Sequence, residues 1–342
     1  MRLILYLLLT VSGYAATYPV PVERDWIVRD FRFHTGEMLP ELRLHYTTVG
    51  APTGQPVLIL HGTASSAEAF LAPAFAGEMF GPGQPLDSRR YYIILPDAIG
   101  HGKSSKPSDG LKGQFPRYNY DDMLQSQYRL ITDHLGLRHL RLIMGGSMGG
   151  MQAWLWGEMY PTFTDALMPL QCLPREIAGM NRMLRRIVID GIRNDPEWQN
   201  GNYDRQPTRG LLTAMEASLA LFGEPVALYR SAPTRTLADA EFDRRVSEIL
   251  KLDANDLLYA FDASSDYNAV KDLEKVKARV IAINTADDTV NQPELGVMEQ
   301  DIKRVKHGTY VLMPRTAPSI GHGSYRIGKL YTKYVADLLG RH

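Results

Sequence analysis

The chain has 342 residues, enough for one large domain or two of ordinary size, and with 44% hydrophobic against 22% charged residues it can bury a substantial core. Lys plus Arg and Asp plus Glu balance at 38 each, so no basic field exists to attract nucleic acid or an anionic membrane surface, and a small molecule is the natural partner. A single cysteine, Cys172, excludes an internal disulfide and any Cys-based metal site.

In chain order, Met1-Arg2 precedes an almost wholly apolar run over 3–11 and then Ser12-Gly13-Tyr14-Ala15-Ala16. A positive start, a short apolar stretch and small residues at Gly13 and Ala15 predict a secretory signal over 1–15, cleaved after Ala15. The run is too short to cross a bilayer comfortably, so no stable membrane span is expected after cleavage. Cys172 lies far from the cleavage site, which excludes lipid attachment there. The expectation is a periplasmic or secreted protein whose core makes disulfides unnecessary.

Residues 27–33 and 41–49 alternate as strands joined near Gly36, and 56–60 is an apolar strand ending in His61-Gly62. Another strand over 91–95 ends at Pro96-Asp97. Residues 121–135 read as an amphipathic helix, 139–144 as a buried strand, 148–160 as a helix stopped by Pro161, and 166–170 as a strand. From 172 to 266 no buried strand is read; helical stretches alternate with loop signals such as Asn194-Asp195-Pro196. Strands resume over 279–284 and 309–313, and a last helix is expected over 325–339. Strands alternating with helices predict an α/β fold with a mostly parallel central sheet flanked by helices. Segments 16–171 and 267–342 form its core, and 172–266 is a helical lid inserted over the C-terminal edge of the sheet, where such sheets bind ligands.

Gly145-Gly146-Ser147-Met148-Gly149 sits between the strand over 139–144 and the helix over 148–160. A G-x-S-x-G turn from strand to helix is a nucleophile elbow, in which the flanking glycines make room for a serine pushed above the sheet edge. A serine hydroxyl needs an imidazole to take its proton and a carboxylate to orient that imidazole. α/β-Hydrolases supply these in the order Ser, Asp or Glu, His. After Ser147, Ala286-Asp287-Asp288 ends a late strand and Gly321-His322-Gly323 precedes the last helix. His307 lies in a charged helix end and His342 is the last residue, which leaves His322 as the base. Asp288 is preferred as the acid on motif register, with Asp287 capping the turn. The backbone N–H groups of Met148, after the nucleophile, and of Thr63, in the loop His61-Gly62-Thr63-Ala64, are the candidate oxyanion donors. His101 in Gly100-His101-Gly102 reads as structural. No metal or cofactor is implied.

From about Arg29 onward the chain resembles the homoserine O-acetyltransferase family of α/β-hydrolases. The likeness is carried by Gly81-Pro82-Gly83 with Leu86-Asp87, by Gly145 to Gln152 with Trp156, and by Asn194-Asp195-Pro196-Glu197-Trp198 with Gly201-Asn202-Tyr203. Phe261-Asp262-Ala263 before Tyr267, Asp288, Pro293 and Gly321-His322 complete it. The resemblance implies a Ser147–Asp288–His322 triad, a helical lid and a homodimer formed through that lid. Its substrate-reading positions depart. The family's lid arginine falls on Met215, its lid tyrosine on Phe222, and the aspartate after the catalytic histidine is Gly323. A zwitterionic amino acid needs charged partners that these three residues do not supply. The expectation is therefore an exported serine hydrolase of an ester or similar acyl compound with an apolar moiety. Acyl transfer to an acceptor, homoserine included, is the alternative, and a non-catalytic binding protein on the same fold is a third reading.

Overall fold

The computed structural model describes residues 18–316 and 318–340. The expected signal over 1–15 lies outside the described residues. Eight strands form one sheet in the spatial order β1-β2-β4-β3-β5-β6-β7-β8. β1 (Val22–Arg32) and β2 (Met38–Val49) form an antiparallel hairpin, and β2 pairs antiparallel with β4 (Tyr91–Pro96). β4 then pairs in parallel with β3 (Gln55–Leu60), and the parallel arrangement continues through β5 (Leu142–Gly146), β6 (Ala166–Leu170), β7 (Arg279–Thr285) and β8 (Gly308–Met313). The mostly parallel α/β sheet read from the sequence is the one found.

The inner strands are continuous apolar runs because both faces of the sheet are covered. In β3, Val57 and Ile59 pack on one face, Leu58 and Leu60 on the other, as the two-residue period of a strand requires. α1 (Glu68–Leu71) and α2 (Pro73–Met79) cover the first face; α3 (Tyr120–Arg129) and α4 (Met148–Met159) cover the second, with Trp154 and Trp156 fully buried. Between β6 and β7 come α5 (Gly179–Arg193), α6 (Thr208–Phe222), α7 (Pro225–Ser231), α8 (Arg235–Ile249) and α9 (Ala254–Asp262). The apolar faces of α5, α6 and α9 continue the core of the second face through Leu184, Val188, Leu211 and Leu258. α10 (Val297–Asp301) precedes β8, and α11 (Thr332–Leu338) joins α1 and α2 on the first face. Among the described residues no single helix is long and apolar enough to cross a membrane.

β1 and β2 begin at Val22 and Met38, earlier than the expected 27 and 41, and three later elements also differ from their expected bounds. The strand expected over 139–144 begins at Leu142 and runs on to Gly146, because Leu140 makes only an isolated bridge to Thr164. α3 starts on a capping box between Asn119 and Asp122 and ends at Arg129, after which 130–134 widens into a π turn closed by Leu135 N–H donating to the Leu130 carbonyl at 3.0 Å. The last helix expected over 325–339 is instead two 3₁₀ turns, Gly321–Arg326 and Gly328–Leu330, followed by α11. Packing overrides propensity there: a Cβ at Gly328 would sit 2.7 Å from the Phe75 carbonyl oxygen, so the chain passes hard against α2.

Candidate active site

Ser147 occupies the turn from β5 into α4 at φ 55° and ψ −116°, a region that residues with side chains rarely enter. The neighbours explain how the turn is tolerated. A Cβ at Gly145 would lie 2.5 Å from the Gly149 carbonyl, and one at Gly149 would run into the Leu60 carbonyl at the end of β3. Ser147 N–H donates to the Leu170 carbonyl at 2.9 Å, which ties the elbow to β6. The serine is only 5% exposed.

His322 lies in the 3₁₀ turn Gly321–Arg326, and Asp288 follows β7. The imidazole Nε2 is 2.8 Å from Ser147 Oγ, and Nδ1 is 3.0 and 3.1 Å from the two Asp288 carboxylate oxygens. A carboxylate only accepts, so Nδ1 carries the proton and Nε2 is free to accept from the serine hydroxyl. Asp288 is buried and fixed by its own turn. Its Oδ1 accepts from Val290 N–H at 2.8 Å, and its Oδ2 accepts from the Asn291 side-chain amide at 3.1 Å. Asp287 points elsewhere. Its Oδ2 accepts from Gly321 N–H at 3.1 Å, and although burial pushes its carboxyl pKa up, hydrogen bonds from Thr285, Ser319 and Gly321 prevail and hold it below the usual value. Thus Asp288 faces the imidazole, while Asp287 fastens the backbone of the turn that carries it.

The loop after β3 reaches the serine. A Cβ at Gly62 would lie 3.5 Å from Ser147 Cβ, which brings Thr63 to the rim of the site. Met148 is the first residue of α4, and its N–H belongs to the helix end that has no intrahelical partner. His61 holds this loop in place. Its Nδ1–H donates to the Gly62 carbonyl at 2.8 Å, and its Nε2 accepts from Ala98 N–H at 3.0 Å. His101 packs beside it with ring centroids 5.2 Å apart and donates to the Ile99 carbonyl at 2.9 Å. Burial pushes both pKa values down, that of His101 to about 3, so the pair stays neutral at ordinary pH.

The residues expected to read substrate are placed unequally. Phe222, at the end of α6, stacks on the His322 ring with centroids 5.6 Å apart and planes 24° apart. Met215 is buried on the same helix. Gly323 sits beside Arg326: a Cβ there would be 3.0 Å from the guanidinium. A cleft of about 530 Å³ opens between the loop 64–66, the loop 100–106 and α9, and another of about 460 Å³ lies between α5, the end of α6 and the loop 289–297 after Asp288. Among the described residues no group of three or more His, Cys, Asp or Glu is arranged to hold a metal ion.

The model for the alpha/beta hydrolase fold matches residues 55–309. Homoserine O-acetyltransferase of Haemophilus influenzae is 30% identical over 283 residues, which cover 72% of this chain and 78% of that protein. The homoserine O-acetyltransferase of Geotalea daltonii is 34% identical over 206 residues, 54% of this chain and 55% of its own length. An acetylester hydrolase from Corynebacterium glutamicum superposes with a TM-score of 0.82 at 17% identity, covering 93% of this chain and 96% of that one. The chain belongs to the α/β-hydrolase family, among proteins similar to the homoserine O-acetyltransferases.

Proposed function

We propose that this protein is a serine hydrolase of carboxylic esters that acts outside the cytoplasm, in the periplasm or the medium. The observation that carries the catalytic reading is the unbroken chain from Ser147 Oγ through His322 to Asp288, at 2.8 Å and 3.0 Å. Ser147 Oγ attacks the ester carbonyl as its proton passes to His322 Nε2. Asp288 keeps Nδ1 protonated, orients the ring and stabilises the imidazolium that forms. The N–H groups of Thr63 and Met148 receive the oxyanion. The tetrahedral intermediate collapses, the C–O bond to the alcohol breaks, and the leaving alkoxide takes the proton from His322. Water then repeats the sequence on the acyl-enzyme and releases the acid and free Ser147.

Phe222 over the imidazole gives the site an apolar ceiling, which supports a substrate with an apolar moiety. The acylation half is common to hydrolysis and transfer, and the identity with acetyltransferases supports acyl transfer as the second reading. Met215, Phe222 and Gly323 weigh against homoserine as the acceptor. A panel of activated esters graded by acyl chain length, with and without homoserine and acetyl-CoA, separates the readings. Hydrolysis with a chain-length optimum and no gain from either addition is expected; acetyl transfer to homoserine at rates matching the best hydrolysis would overturn the hydrolase reading. Export rests on the signal-like stretch 1–15, and an intact mass beginning near Ala16 is expected outside the cytoplasm. A cytoplasmic product retaining that stretch would refute it.

A further inference from the structure

Arg185, on α5, is the only buried lysine or arginine among the described residues, at 1% exposure. No carboxylate of the described residues lies within ion-pair distance of it. Its Nε donates to Asn181 Oδ1 at 2.9 Å, its Nη1 donates to Ser264 Oγ at 3.1 Å, and its guanidinium lies over the Phe261 ring at 5.4 Å. These neutral contacts orient a cation without neutralising it. A buried charge is expensive unless something of opposite sign meets it, and arginine does not escape by losing its proton.

Beside it the Tyr120 hydroxyl faces Arg185 and the Thr63 and Ser264 hydroxyls. Yet neither Tyr120 Oη nor Thr63 Oγ1 meets any of these neighbours in good hydrogen-bond geometry, although both atoms are buried and Tyr120 is 1% exposed. Buried polar atoms are almost always paired, so two orphaned hydroxyls beside an unneutralised cation call for an acceptor that the protein does not itself provide.

The position of this cluster ties it to the reaction. On one side Arg185 touches Phe261, Phe261 lies 6.4 Å from Phe222, and Phe222 stacks on His322. On the other side Tyr120 faces Thr63, whose neighbour Gly62 abuts Ser147. Both routes lead from Arg185 to the catalytic residues.

We propose that Arg185, with the hydroxyls of Tyr120 and Thr63, forms an anion-binding subsite that receives a carboxylate carried by the substrate. The inference rests on the ester-hydrolase reading and deepens it: the ester has an apolar part under Phe222 and a carboxylate within reach of Arg185. That carboxylate belongs either to the acyl group or to the alcohol, and matched pairs of esters distinguish the two. Mono-para-nitrophenyl succinate against para-nitrophenyl isohexanoate tests the acyl side. The acetyl ester of gamma-hydroxybutyrate against isohexyl acetate tests the alcohol side.

In one of the pairs the anionic ester should have a kcat/KM at least about tenfold above its neutral isostere, the scale of one charge-assisted hydrogen bond. Arg185→Met should bring that ratio to about one, and Tyr120→Phe should lower it several-fold. Arg185→Lys, which keeps the charge and loses the fork, should retain part of it. Should Arg185→Met fail to fold, Tyr120→Phe and Arg185→Lys decide. A wild-type preference for the neutral ester in both pairs, or a ratio that none of the variants moves, overturns the subsite. If no ester is turned over, the hydrolase reading fails while the subsite is still read by melting temperature. The gamma-hydroxybutyrate ester should then raise Tm of the wild type more than isohexyl acetate does, and lose that advantage in the variants; equal shifts with both ligands would refute it.

Discussion

Around Ser147 the polar side chains complete one another: the serine meets His322, His322 meets Asp288, and Asp288 is held by Val290 and Asn291. Around Arg185 a full positive charge has only neutral partners, and the Tyr120 and Thr63 hydroxyls are in good hydrogen-bond geometry with none of their neighbours. The first cluster carries its own proton path, so its chemistry requires only a carbonyl. The second is incomplete by itself, so its chemistry is recognition. On the proposed reading, rate belongs to one region and choice of substrate to the other, and substitutions should separate them.

The largest effect is expected from the closed cluster. Ser147→Ala or His322→Ala should each lower ester turnover by about a millionfold, because the members act as a unit. Asp288→Asn should cost about ten-thousandfold, since the imidazole would be left in the wrong tautomer. Asp287→Asn should cost less than about tenfold, as it weakens a backbone contact at Gly321 and leaves the proton path intact. Steady-state kinetics on an activated ester measures all four. Should Asp287→Asn be the more damaging of the two aspartate changes, the acid has been placed on the wrong residue.

The two regions were also unequally legible in the sequence. The elbow is a local signal: Gly145 and Gly149 are needed within four residues of each other because the backbone of β3 and the start of α4 leave no room for a Cβ. Asp288 and His322 follow from strand ends in a fixed chain order, and in the folded chain His322 meets Ser147 while Asp288 meets His322. The last helix was misplaced because the close approach of Gly328 to α2 is a tertiary contact that periodicity does not carry. Arg185 was missed for the same kind of reason. In the sequence it is one of four arginines on an amphipathic helix, with Arg182, Arg186 and Arg193; only the packing of α5 against α6 and α9 decides which of them is buried. Met215, Phe222 and Gly323 drew attention by resemblance, and Phe222 is the one seen in contact with His322.

A milder change sharpens the recognition side. Gly323→Asp would place its carboxylate against Arg326, where it pairs with that guanidinium instead of standing free for a substrate ammonium. It should lower neutral ester hydrolysis by less than about tenfold and confer no acetyl transfer from acetyl-CoA to homoserine, because an exposed pair contributes little. Appearance of homoserine acetylation in this variant would show that Arg326 leaves the aspartate available.

The smallest effect concerns acid. His101 is buried neutral with its pKa pushed to about 3 from 6.5, so the unfolded chain binds the extra proton first as pH falls. Stability should therefore be full above about pH 6.5 and decline below it, by about 2 kcal/mol at pH 5 from His101, with His61 adding in the same direction. Denaturant titrations at pH 7 and pH 5 measure the difference, and His101→Gln should reduce it. Equal stabilities at the two pH values would show that these histidines are not held neutral.

The most direct test of the central claim is to trap the acyl-enzyme. The protein is mixed briefly with excess para-nitrophenyl ester, quenched in acid, and its intact mass and peptide map are recorded. One acyl group should be found per chain, on the peptide containing Ser147, and it should be absent from Ser147→Ala. Full turnover with no acyl group at Ser147, or with the label on another side chain, would contradict the account.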